Sequence, residues 1–118
     1  MASLNKTMGK SKFLELFGES PINKVIDFLV VFDQFDYSMA DIAENAGVGY
    51  STLKELIPKL QKKKIIVKTR ISGKSSMYKI NNDNPSVRRF IEFYWDLTNQ
   101  VARKELNKKE IVVKTYKH

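Results

Sequence analysis

Lys54, Lys59, Lys62, Lys63, Lys64, Lys68, Arg70, Lys74 and Lys79 all fall in the block 51–80, where Glu55 is the only acid. Ammonium and guanidinium groups at that density do one kind of chemistry well: they bind the oxygens of a polyanion, phosphate above all. The block before it leans the other way, with Lys24 set against Asp27, Asp33, Asp36, Asp41 and Glu44 in residues 21–50. The whole chain carries +8 with a pI near 9.7, and most of that excess is local to 51–80. Such asymmetry argues for a polyanionic partner rather than a merely solvated surface.

Residues for other chemistries are scarce. The 118-residue chain has no cysteine, and its only histidine is His118 at the very end. Histidine-activated nucleophiles and the common zinc sites therefore lack their parts. The stretch "ISGKSS" lacks the first glycine and the strand-to-helix setting of a phosphate-binding loop. Asp33, Asp36, Asp41 and Glu44 pose a metal site against ordinary acids near a helix start, and the second reading is favoured because Asp41 stands where a helix start attracts negative charge. No catalytic residue, metal or cofactor is expected. No apolar run approaches the ~20 residues that cross a bilayer. The start "MASLNKTMGKSKF" lacks the apolar stretch of a secretory signal. The expectation is a cytoplasmic protein without a membrane partner, associated with the nucleoid.

These cations need elements to position them. "FLELFG" reads as a short helical turn packing Leu14 and Phe17. "SPINKVIDFLVVF" opens with Ser20 as N-cap and Pro21 at the first helical position, and Ile22, Val25, Ile26 and Leu29 mark one face. "FDYS" reads as a very short strand. Ser38 and Asp41 form an S-x-x-D cap for a helix to about Ala46, with Ile42, Ala43 and Ala46 inward. Apolar positions resume at Leu53, Leu56, Ile57 and Leu60, a second helical stripe. Between the stripes, Gly47 can take the left-handed conformation that ends a helix, and Gly49 is an acceptable cap for the next. Val48 between them points inward. The pair of glycines therefore marks a helix–turn–helix corner. Beyond it, Ile66, Lys68 and Arg70 alternate with Val67, Thr69 and Ile71, "SGKS" makes a turn on Gly73, and "SMYKI" returns: a β-hairpin. Asn84 and Pro85 then cap a long helix with Val87, Phe90, Ile91, Tyr94, Leu97, Thr98 and Val101 on one stripe. "EIVVKTYKH" is ambiguous between strand and tail.

This order, with Ala43 four residues before Gly47 and Val48, Leu53 and Leu56 bracketing the second helix, resembles a winged helix–turn–helix domain. From about Phe17 to Leu97 the chain resembles archaeal winged-helix transcriptional regulators. The fold so implied is α+β, mainly α: three helices plus a hairpin wing, and a long C-terminal helix. The implied segments are a flexible basic 1–12, the winged domain 13–82, a dimerisation helix 83–108 and a basic tail 109–118. The resemblance implies that helix 50–63 reads the major groove of double-stranded DNA with Tyr50, Ser51, Thr52, Lys54, Glu55 and Lys59. It implies that the wing 66–80 and its surroundings grip the backbone with Lys62, Lys63, Lys68, Arg70, Lys74, Ser75 and Lys79, Arg70 and Lys74 acting at the wing tip. The sequence departs from the family in two places. Lys63 and Lys64 stand where a glycine commonly ends the recognition helix, and Pro58, inside that helix, should bend or split it.

Phe90, Phe93, Tyr94, Trp95, Leu97 and Val101 exceed what one core face needs, because successive helix residues stand about 100° apart. They read as a homodimer interface that presents two recognition helices to an inverted repeat. Together these readings give a dimeric, sequence-specific DNA-binding transcriptional regulator. The alternatives are a winged-helix protein-interaction module, or a plasmid or viral replication, partition or chromatin factor.

Overall fold

The computed structural model describes residues 10–107, with side chains described as far as residue 100. Val101, residues 1–9 of the basic start, the tail 109–118 and His118 therefore lie outside the described side chains. Among the described residues five helices and three strands follow one another: α1 (Lys12–Phe17), α2 (Pro21–Val31), β1 (Tyr37–Ser38), α3 (Met39–Ala46), α4 (Tyr50–Lys62), β2 (Ile66–Ser72), β3 (Ser75–Ile80) and α5 (Pro85–Asn107). The sheet is antiparallel in the order β1-β3-β2, so β2 forms an outer edge. The helix–turn–helix, the hairpin wing and the long final helix are thus present in the expected order. Among the described residues no helix is long and apolar enough to cross a membrane.

Local signals account for the boundaries. The Ser20 hydroxyl accepts from the Asn23 N–H at 3.3 Å with Pro21 at the first position of α2. The Ser38 hydroxyl accepts from the Asp41 N–H at 3.2 Å to start α3. Gly47 ends α3 at φ 72°, and Gly49 begins α4 from an extended conformation. Val48 between them is buried, which fixes the corner. Pro58 does not split α4, which runs unbroken to Lys62. Its ring faces solvent, where water can serve the Lys54 carbonyl that loses its partner.

The core is shared by every element. Val25, Phe28 and Leu29 of α2, Ile42 of α3, Leu53, Ile57 and Leu60 of α4, Ile66 and Ile80 of the wing and Val87 and Tyr94 of α5 are all at most 5% exposed. Two details differ from the sequence reading. Phe13, not Phe17, joins Leu14 inside α1's contact, and Phe17 remains half exposed. Helical spacing alone does not decide between the two rings, and the ring of Phe13 is the one that meets Phe90 edge-on at 5.3 Å. Ile22, expected on the inner face of α2, is also exposed, in the first turn of the helix.

Strict alternation along β2 also fails. Ile66 pairs with Ile80 and Lys68 with Tyr78, but the next pair is Arg70 with Met77. Thr69 is therefore an extra residue, a β-bulge. Directly opposed residues share a face, so the bulge carries Arg70 to the outer face with Val67, Lys79 and Met77. Ile71, opposite Ser76, moves to the inner face with Lys68 and Tyr78.

One polar group sits in this core. Asp27 is 1% exposed, and its Oδ1 accepts both the Ser11 hydroxyl and the Tyr94 hydroxyl at 2.6 Å. Ser11 also caps α1 by accepting from the Leu14 N–H at 3.1 Å. The network thus joins α1, α2 and α5. Tyr94, expected at a dimer interface, belongs instead to the chain's own core, because its hydroxyl is needed by a carboxylate that water cannot reach. Burial first, and the Asp27 carboxylate second, push its ionisation far above the usual tyrosine range. Tyr94→Phe removes one donor from a buried carboxylate and keeps the ring. A loss of about 1–3 kcal/mol in urea unfolding is expected, well above that of an exposed Tyr→Phe control.

Candidate nucleic-acid interface

In α4, Leu53, Ile57 and Leu60 point inward. At 100° per residue, Ser51, Glu55, Pro58, Lys59 and Lys62 then lie on the opposite stripe, with Thr52 and Lys54 on its two flanks. All of these residues are exposed. α4 therefore presents hydroxyls, three lysines, a carboxylate and a proline to solvent, beginning directly at the corner.

Tyr50 turns toward the wing and is 52% exposed. With Ser38, Met39 and Ala40 at the start of α3, and Lys74, Ser75, Ser76 and Tyr78 of the hairpin, it lines a notch of about 260 Å³. Two helix starts and the wing turn thus converge on one polar recess. Backbone N–H groups at helix starts and a nearby ammonium are the donors that a phosphate oxygen seeks. Sequence reasoning placed Tyr50, Lys74 and Ser75 in the site but missed Ser76, and it read Ser38 as a cap alone. Lys24 was missed too: its Nζ lies 3.4 Å from the Gly47 carbonyl, beside the helix–turn–helix corner.

The expected wing-tip pair comes apart. The turn is Gly73–Lys74, between the paired residues Ser72 and Ser75, with Gly73 at φ 63°. Lys74 is at the tip. Arg70 is on the outer face, where its guanidinium grips Asp36: Nε to Oδ2 at 2.9 Å and a terminal nitrogen to Oδ1 at 3.1 Å. The Thr69 hydroxyl donates to the same carboxylate. Asp36, which precedes β1, is thereby bound to the far strand of the sheet and braces the wing. Lys68 stands on the inner face and Lys79 on the outer, so the hairpin lysines do not form one row. Lys62 closes α4 and Lys63 follows it, both exposed. Among the described residues no group of three or more His, Asp or Glu side chains comes together as metal ligands do.

On α5, Phe93 and Trp95 are 42% and 39% exposed and lie on opposite flanks of the buried Tyr94. Phe93 continues into α1 through the ring of Phe17, 5.9 Å away, beside the 65%-exposed Leu16. Trp95 packs edge-on against Tyr94 at 5.0 Å. Phe90 and Leu97 are partly buried against the core.

No protein-family model and no curated protein sequence matches this chain. Solved structures do. A mutant of Lactococcus lactis ZitR superposes with a TM-score of 0.54 at 16% identity, over 80% of this chain and 69% of that one. The adhesin competence repressor AdcR of Streptococcus pyogenes gives 0.52 at 18% identity, over 80% and 76%. Wild-type ZitR in complex with DNA gives 0.51 at 15% identity, over 80% and 69%. These likenesses establish the winged helix–turn–helix fold.

The Arg70 guanidinium, and then the Thr69 hydroxyl, hold the Asp36 carboxylate down at about 2, below its ordinary value. A carboxylate more acidic in the folded than in the unfolded chain favours folding at every pH above the ordinary carboxylate range, and this contribution fades as pH falls toward 2. The wing brace should therefore be indifferent to pH from 5 upward. Carboxyl-carbon NMR of Asp36 is expected to titrate near 2. Asp36→Asn removes the charge and releases Arg70. On a duplex-binding reading of this face, random-duplex affinity should rise, and the slope of log affinity against log salt should steepen by up to about 0.9 per subunit, the value for one added phosphate contact.

Proposed function

We propose that this chain is a dimeric, sequence-specific double-stranded-DNA-binding transcriptional regulator without catalytic activity. The observation that supports it most is the convergence of Lys74, Ser75, Ser76 and Tyr50 with the start of α3 on one polar notch, beside the exposed stripe of α4. In this reading the notch seats a backbone phosphate and fixes the register. Ser51, Thr52, Lys54, Glu55 and Lys59 meet base edges in the major groove. ZitR, of the same fold, has been solved bound to DNA, which favours the reading.

A second copy is proposed on the α1–α5 side. Phe93 and Phe17 are in ring contact and exposed there, with the exposed Leu16 next to Phe17 in the chain, and α5 is about 35 Å long at 1.5 Å per residue. Pairing two such helices about a two-fold axis buries this surface on both chains. It also directs two recognition helices at half-sites about 34 Å apart, as in an inverted repeat.

Selection from random duplexes tests the function, and a salt series tests its physics. A dimer neutralising several phosphates per subunit should show a slope of several units, at about 0.9 per phosphate. Binding that is absent at low salt, or indifferent to salt, would transfer support to the protein-interaction reading. Lys54→Ala or Ser51→Ala should cost roughly 1–3 kcal/mol on the selected sequence alone. Lys74→Ala should weaken all duplexes alike. Sedimentation should give a dimer at tens of micromolar, and replacing Phe17 and Phe93 together by polar residues a folded monomer that binds DNA far more weakly. A monomeric unsubstituted chain refutes the pairing.

A further inference from the structure

Lys64 is the one non-glycine residue with positive φ, 62°, among the described residues. Lysine adopts that left-handed region only with strain. The position is where α4 hands over to the wing. The Lys64 N–H donates to the Gln61 carbonyl and the Ile65 N–H to the Leu60 carbonyl, each at 3.0 Å, which closes the end of α4. The Lys64 carbonyl is taken by two side chains at once: Asn81 Nδ2 donates at 2.9 Å and Asn84 Nδ2 at 3.0 Å.

Both asparagine amides are held at the oxygen end as well. Asn81 Oδ1 accepts from the Asp83 N–H at 3.1 Å, and its own N–H donates to the Ile65 carbonyl at 2.9 Å. Asn84 Oδ1 accepts from the Ser86 N–H at 2.9 Å, which caps α5. Each amide oxygen is fixed by a backbone donor, so each amide nitrogen must face Lys64. The strained corner at the end of α4 is thereby hydrogen-bonded to the first turn of α5. Packing does not secure it on this side, where an apolar crevice of about 350 Å³, bordered by Ile26, Lys63, Ile65, Ile80 and Asn84, stays open.

We infer that Asn81 and Asn84 are positioning residues for DNA specificity: by clamping the Lys64 carbonyl they fix the angle of the recognition helix against the wing and the long helix. The inference rests on the DNA-reading proposal. Direct base readout needs side chains held to a fraction of an ångström and to ~10–20°, whereas phosphate attraction tolerates more. Loosening the clamp should therefore erode discrimination before it erodes grip.

Asn84→Ser keeps a helix-capping hydroxyl and removes the amide donor; Asn81→Ser likewise removes its donor. The double variant is expected to fold and to bind random duplex with unchanged affinity and salt slope. Its ratio of selected-sequence to random-duplex affinity should fall about tenfold, the equivalent of about 1.4 kcal/mol. Adding Lys64→Gly, which removes the strain the clamp resists, should restore part of the ratio. Equal losses on both duplexes, or an unchanged ratio, overturn the inference. The absence of cysteine permits a test without DNA. Spin labels on Lys59→Cys and Glu92→Cys, diluted into unlabelled protein, report the α4–α5 distance. The distribution should broaden or shift in the double variant, and an unchanged distribution overturns the clamp. If the unsubstituted chain binds no DNA, the interface reading fails, and the label distances still decide whether the clamp sets the angle.

Discussion

A carboxylate closed off from water, with hydroxyls rather than a cation for partners, organises this molecule. Asp27 sits on the most buried helix and draws in one hydroxyl from the cap of α1 and one from the middle of α5. A polar group buried in that position is tolerable only while its hydrogen-bond partners stay in place. The two outer helices are therefore located relative to α2 more closely than their apolar contacts alone would require. The aromatic contacts of Phe13 with Phe90 and Tyr94, at 5.3 and 5.7 Å, form around that fixed point. Once α1 and α5 are placed, so are the surfaces they leave outside: Leu16, Phe17 and Phe93 on one flank, Trp95 on the other.

The far side of the molecule is organised by a second carboxylate with the opposite setting. Asp36 is near solvent and bound by a guanidinium fork, so it stays ionised and acts as a strut. Its geometry follows from the bulge at Thr69, which brings Arg70 to the face where Asp36 waits. One buried acid fixes the frame and one outer acid fixes the wing. The end of α4 is held in turn by neutral amides.

Much of this was legible because it obeys local rules. Ser20, Pro21 and Ser38 announce helix starts, and Gly47 announces a stop, through the chemistry of single residues. The helix–turn–helix, the hairpin and the long final helix follow from apolar spacing. The rest depended on distance in sequence. Asp36 and Arg70 lie thirty-four positions apart, and nothing local says that one will cancel the other's availability for phosphate. Thr69 looks like any strand residue, so the reversal of faces beyond it was hidden. Spacing puts Tyr94 on the stripe of α5 and its aromatic neighbours put it in the dimer-interface set, while its partner, Asp27, is sixty-seven residues away. The polar notch is likewise a product of the fold: Tyr50, Lys74 and Ser75 were legible as separate residues, but their meeting with the start of α3 was not.

The bulge has a bearing on crowding as well. β2 is the outer strand of its sheet, and an outer strand offers its free backbone to any passing chain. A flat seven-residue strand would invite copies of the chain to add on and grow into aggregates. The extra residue at Thr69 interrupts the even spacing of backbone donors and acceptors halfway along. The charge of Lys68 stands just before the interruption. An incoming strand can match only a few residues on either side before its register is lost. The same irregularity that aims Arg70 at Asp36 thus makes this edge a poor template for an added strand.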